Sequence, residues 1–394
     1  MSATLFSVAT SILIHLQSLR KFNYALNLFC QTILLLVMLG LIFFTGSCRA
    51  EFWQQTASVH AATEYESNPA MIPAYQEKGI WRSTVDPSYR LLTADNSLQA
   101  GLALHVARNS NKRLQQDRND PSVFVNWIKQ LETGELGIRA SYVEAATRTT
   151  ELDAVGPVNT NGTSTSRSLT ANWKKLMGER SSLDLNGSYR STNFKGAALV
   201  GFVTQSGGVD YSYIWSEIIT PFINLSYIDF ASTGSISANG LYRTMLGFNW
   251  KTSDRLDGTI QAGQFHRKNS ASKDNSQGSV ILRYAGENSR LVFNVDRSAG
   301  ASGLGGFVIT DQASFHWSYD LSEPTTSGLD FGWRKSQFVN DNYLRTAGAW
   351  LQSKLSSFWA SRLYYQGRIS SRDGISDATS NTLGLSFTYT NPNF

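Results

Sequence analysis

"SNTLGLSFTYTNPNF", residues 380–394, ends the chain on a run of strict alternation, with Leu383, Leu385, Phe387 and Tyr389 on one face and small or polar residues between them. A period of two is the signature of a β-strand with unlike faces. The run also places an aromatic, Phe394, at the last position. Termini of water-soluble domains usually fray and are polar, so this one calls for a greasy or recognised surrounding. Taken alone, such a strand fits a sandwich, a propeller or a barrel.

Working outward, the same grammar recurs from about Ala57 onward, in "SLQAGLALHV" (97–106), "ELGIRASY" (135–142), "SLDLNGSY" (182–189), "RLVFNVD" (290–296) and "GLDFGWR" (328–334). Each carries apolar residues on one face and Gly, Ser, Asn, Asp or Arg on the other. An aromatic marks the end of every second strand: Tyr89, Trp127, Trp173, Trp215, Trp250, Tyr284, Trp317, Trp350 and Tyr389. The intervals of 33 to 46 residues correspond to one hairpin each. Most of these aromatics share parity with apolar neighbours, as in Leu169, Ala171 and Trp173, or Ala313, Phe315 and Trp317. Except at the C-terminus, a short turn follows each within a few residues, such as "LETGE", "KTSDR" or "LSEPTT". The opposite connections, for example 149–166, 195–206 and 299–308, are mostly longer and rich in Gly, Ser and Asn.

Outward apolar residues, inward polar ones, an aromatic girdle, and short turns on one side only are the requirements of a transmembrane β-barrel. Backbone groups cannot stay unpaired in lipid, so the sheet must close. Nine aromatic marks predict nine descending strands and nine ascending partners: an all-β, antiparallel, up-and-down barrel of about 18 strands, with 16 as the other possibility. The first strand is expected near 57–65 and the last near 379–390, with both ends on the short-turn, periplasmic side. Phe387, Tyr389 and Phe394 then resemble the terminal signal by which the outer-membrane barrel assembly machinery captures its clients. The "NPN" insertion puts Phe394 out of phase with Tyr389, and simple packing of Phe394 against neighbouring strands is the alternative reading. A soluble periplasmic propeller is the rival architecture.

Residues 1–50 read differently. Arg20 and Lys21 precede an apolar run, Thr32–Thr45, followed by small residues and "SCRA" before Glu51. This is the layout of a secretory signal cut between Ala50 and Glu51, leaving a barrel over 51–394. An uncleaved anchor and a lipoprotein cut before Cys48 are alternative readings, although the run is short for a spanning helix. Both cysteines, Cys30 and Cys48, fall in this leader, which removes disulfides and zinc–cysteine sites from the mature chain. The leader also holds three of the 35 basic residues (Arg20, Lys21, Arg49) and no acidic one, so the remainder balances 32 against 30. There is no nucleic-acid footprint in that balance.

Three stretches carry a family resemblance: "EYESNPAM" (64–71), "RTTELDAVG" (148–156) and "SLTANWKKLMGERSSLDLNGSY" (168–189). With their order and spacing, the mature chain resembles a family of outer-membrane β-barrel porins that often accompany exopolysaccharide-synthesis and exosortase-type gene clusters. The resemblance implies a channel or scaffold in outer-membrane lipid, polysaccharide export as the role, and periplasmic export components as partners. It supplies no catalytic residues.

Parity places Arg139, Asp184, Arg190, Asp257, Arg283, Asp330, Arg334, Arg362 and Arg368 on the inward face. Such arginines would attract an anionic polymer or solute; alternatively, these charges pair with one another and stiffen the wall. Enzymatic readings find little support. His60, His105, His266 and His316 fall in no HExxH, GxSxG or metal-ligand spacing, and "GASGLGG" (300–306) lacks the context of a phosphate loop. The expectation is therefore a passive, cofactor-free channel for a saccharide or other polar solute, set against a closed anchoring barrel and a nutrient-uptake porin. The best candidate for a constriction loop, 149–166, is only modest in length.

Overall fold

The structure, a computed structural model, describes residues 53–73, 79–155, 162–196, 199–233, 239–268, 275–337 and 341–391. The leader, the Ala50/Glu51 cut and Phe394 lie outside the described residues. In chain order the strands begin with β1 (Trp53–Glu66), β2 (Ile80–Thr93), β3 (Leu98–Asn109), β4 (Arg118–Leu131), β5 (Gly134–Ala146) and β6 (Thr163–Leu176). They continue with β7 (Ser181–Lys195), β8 (Phe202–Tyr213), β9 (Ile219–Ser232), β10 (Asn239–Ser253), β11 (Leu256–Arg267) and β12 (Asn275–Ala285). The last six are β13 (Ser289–Ser302), β14 (Gly306–Ser322), β15 (Thr325–Gln337), β16 (Asp341–Lys354), β17 (Trp359–Arg372) and β18 (Ile375–Asn391). A helix, α1 (Thr147–Val155), interrupts the connection between β5 and β6.

Each strand pairs antiparallel with its neighbours in sequence, and β1 pairs with β18 from Ala57 opposite Asn391 to Glu66 opposite Thr382. The sheet therefore closes with 18 strands and no free edge, as the nine aromatic marks predicted. The links from even- to odd-numbered strands are two to five residues long. Asn96, at a positive φ of 58°, completes one of these tight turns.

The register assigns every side chain a face. On one, Leu136, Trp173, Leu185, Val209 and Leu225 follow one another across β5–β9. The other face is the interior, because there non-adjacent strands touch: Phe230 of β9 stacks 5.5 Å from Phe307 of β14. If circular, 18 strands spaced about 4.8 Å apart and tilted about 40° enclose a cylinder roughly 35 Å across between backbones. Wall side chains alone do not fill that width, so any closure must come from inserted segments.

Inserted segments are found at the long-connection end. Phe202, Phe230, Leu241 and Phe265 of β8–β11 form a buried cluster with Ala299 and Phe307 from the tip of the β13–β14 hairpin. The pairing of β13 with β12 runs only as far as Arg297 opposite Gly278, and the tip of the β13–β14 hairpin reaches this cluster. Phe230 and Leu241 are fully buried, each a contribution of about 1.5–3 kcal/mol.

Candidate functional site

By register, Arg139, Asp184, Arg190, Asp257, Arg283, Asp330, Arg334, Arg362 and Arg368 share the face of the sheet that carries Phe230. Two of the arginines pair with carboxylates: Arg283 with Asp257 at 2.9 Å, and Arg368 of β17 with Glu66 of β1. Asp330 accepts from His316 Nδ1 at 2.8 Å, and Arg334 donates to Gln312 at 2.9 Å. Asp184 sits opposite Asp210 on one side and Lys174 on the other. Arg190 stands between Ser168 and Thr204. Arg139 and Arg362 instead lie over aromatic rings, Phe124 and Trp350.

Seven of the nine girdle aromatics, Tyr89, Trp127, Trp173, Trp250, Tyr284, Trp317 and Tyr389, occupy the outer face. Phe387 shares that face with Tyr389. Trp215 lies in the β8–β9 turn and is 72% exposed. Trp350 is a correction: it faces the lumen, opposite Gly328 and Tyr364, while Ala349 and Leu351 take the outer face. The outer aromatic of that hairpin is Trp359, packed 5.1 Å from Tyr389.

Several interior groups escaped the sequence reading. Glu64 and Glu66 of β1, Arg82 of β2 and Tyr364 of β17 form a cluster beside Arg368. Arg82 pairs with Glu64 and lies 3.9 Å from Glu66, and the Tyr364 hydroxyl donates to Glu64 across β18. That reach passes over Gly384, whose missing Cβ would meet the Tyr364 ring at 2.3 Å. Parity in "EYESN" already put both glutamates on one face, and this was the available signal. His105 likewise has an unanticipated partner, Asp86 at 2.5 Å.

The mouth is built by the connections. Asn68 donates to the Thr379 carbonyl (3.0 Å) and the Ile72 carbonyl (2.9 Å), which folds residues 67–73 onto β18. Met71 then packs on the interior residues Leu344 and Ala378. From the β5–β6 connection, α1 lies against β13, β14 and β15. Arg148 Nη1 donates to the carbonyls of Pro69 (3.2 Å) and Leu114 (3.1 Å), tying three connections together. Pro69 and Arg148, from two of the stretches that carry the family resemblance, thus meet here. Glu151 of α1 is buried with one carboxylate oxygen unpartnered. Burial pushes its pKa up, against the opposing hydrogen bond from the Gly303 backbone. Burial likewise lowers that of Arg148.

Among the described residues no group of three or more His, Cys, Asp or Glu stands placed to hold a metal ion. No helix among them is long and apolar enough to cross a membrane.

Solved structures similar to this chain include OccAB4 of Acinetobacter baumannii, at 11% identity and a TM-score of 0.46 over 86% of this chain and 98% of that one. The outer membrane protein OpdK of Pseudomonas aeruginosa is similar at 10% identity, TM-score 0.48, over 85% and 99%. OpdK solved with vanillate gives 10%, 0.49, 85% and 98%. No family model matches the chain, and no curated protein matches it. At such identities the roles of individual residues rest on this chain's own geometry.

Proposed function

We propose that this chain is an outer-membrane channel that passes a polar solute, with an exopolysaccharide as cargo. The carrying observation is the two-faced closed barrel: an apolar outer face suited to lipid and an interior lined by Arg, Asp, Glu, His and Ser from nearly every strand. Passage is diffusive or guided. Any energy comes from periplasmic export components, and the assembly machinery inserts the barrel. The saccharide assignment is supported by the family resemblance of residues 64–71, 148–156 and 168–189.

A second reading, a closed anchoring barrel in a polysaccharide export system, is favoured by one specific observation. The mouth is crossed by α1, residues 67–73 and the β13–β14 tip. Single-channel conductance of the refolded mature protein in planar bilayers separates the two. Stable openings reduced by added saccharide support the channel; silence from correctly folded barrels refutes it and leaves the anchor.

A further inference from the structure

Most interior charges near the wall are paired, yet two guanidinium groups are held by a different device, and it occurs twice. Phe124 of β4 stands directly opposite Gly101 of β3, and Trp350 of β16 directly opposite Gly328 of β15. In both pairs a Cβ on the glycine would fall 2.3 Å from the ring, so each ring lies down on glycine backbone instead of projecting into the lumen. On the third strand, an arginine sits two residues before the position opposite the aromatic. Arg139 precedes Ser141, which faces Phe124, and Arg362 precedes Tyr364, which faces Trp350. The guanidinium carbons lie 5.1 Å and 4.3 Å from the ring centroids. The flanking sequences, "QAGLA", "SVFVN" and "GIRAS" against "TSGLD", "AGAWL" and "ASRLY", are unalike, so the repeat lies in geometry.

Among the described residues, neither guanidinium has an ion-pair partner, unlike Arg82, Arg283, Arg290 and Arg368. Stacking fixes a guanidinium plane and offsets part of its desolvation while leaving the N–H edges available. Such an edge fits a planar, two-oxygen anion, and its orientation is set before the ligand arrives. Beside Arg362 the wall forms a cavity of about 310 Å³, at the small end for ligand sites. His60, Tyr364, Gln366 and Ser386 line it and can meet hydroxyl groups. The one carboxylate there, Asp330, is already engaged by His316 at 2.8 Å.

We propose that these two Gly–aromatic–Arg triads are binding stations for the carboxylates of an acidic saccharide, with the Arg362 cavity seating one uronic acid unit. The proposal rests on the channel reading for its cargo but not for its test. Binding of oligogalacturonate to the refolded barrel in detergent is measured by calorimetry, with maltotriose and acetate as separate probes, and conductance is recorded on the same preparation. The expected result is oligogalacturonate binding weakened tenfold or more in Arg362→Gln, less in Arg362→Lys, and most when Arg139→Gln is added, with maltotriose silent. Equal affinity in wild type and double variant, or equal binding of maltotriose, overturns it. Acetate binding as tightly as the oligosaccharide overturns the saccharide part. Binding without conductance sinks the channel and keeps the stations; conductance without binding does the reverse.

Discussion

Arg148 is the side chain whose removal should change the mouth most. In Arg148→Met the apolar bulk of the side chain stays, while the hydrogen bonds to the Pro69 and Leu114 carbonyls disappear. Hydrogen bonds to a charged donor contribute about 1.5–3 kcal/mol each. Arg148 is half-buried, however, and its own desolvation offsets part of that gain, as its lowered pKa indicates. Among the described residues its Nε also finds no partner. A net loss of about 2–3 kcal/mol is therefore the reasonable figure for two bonds. At about 1.4 kcal/mol per factor of ten, the undocked population of α1 and residues 67–73 rises roughly 30- to 140-fold. The barrel wall is untouched, so heat-modifiable gel migration should match wild type. In planar bilayers the variant should show markedly more frequent or longer openings. Unchanged conductance in a correctly folded variant would refute the idea that Arg148 clamps the mouth.

Three further outcomes follow from the same geometry. The raised pKa of Glu151 means that docking of α1 is strongest with its carboxyl neutral and weakens as pH climbs from about 4.5 through the raised value; openings should become more frequent over that climb, and Glu151→Gln should flatten the dependence. Trp317→Asp removes an outer-face aromatic and adds a charge near the interface, at a cost of about 2 kcal/mol and visible loss of insertion. Trp350→Asp places its carboxylate in the lumen beside Arg362 and should insert normally, so equal behaviour of the two would contradict the assigned faces. Deleting Phe394 should slow assembly and reduce the folded gel band if the terminal aromatic is part of the recognition signal, whereas full assembly removes that role.

The strands, their number and most of the wall were legible in the chain itself, because a β-strand's two faces are written in alternate residues. Leu383, Leu385, Phe387 and Tyr389 show it locally, and alternation likewise puts Arg139, Asp257 and Arg334 on the face opposite their apolar neighbours. Parity failed at Trp350 because "AGAWLQS" puts Ala347, Ala349 and Leu351 on one face and a large aromatic on the other. The deciding residue, Gly328, lies on the preceding strand of the hairpin, where its bare backbone gives the ring a floor.

The mouth was decided only by tertiary structure. "RTTELDAV" has no apolar stripe to announce a helix, and Arg148 gains meaning only where Pro69 and Leu114 bring their carbonyls to it. Likewise Phe307 is an ordinary hairpin residue until it meets Phe230, five strands away. Local alternation encodes a wall because each strand reads its own period. What folds into the mouth depends on contacts between distant segments, and no period in the chain records them.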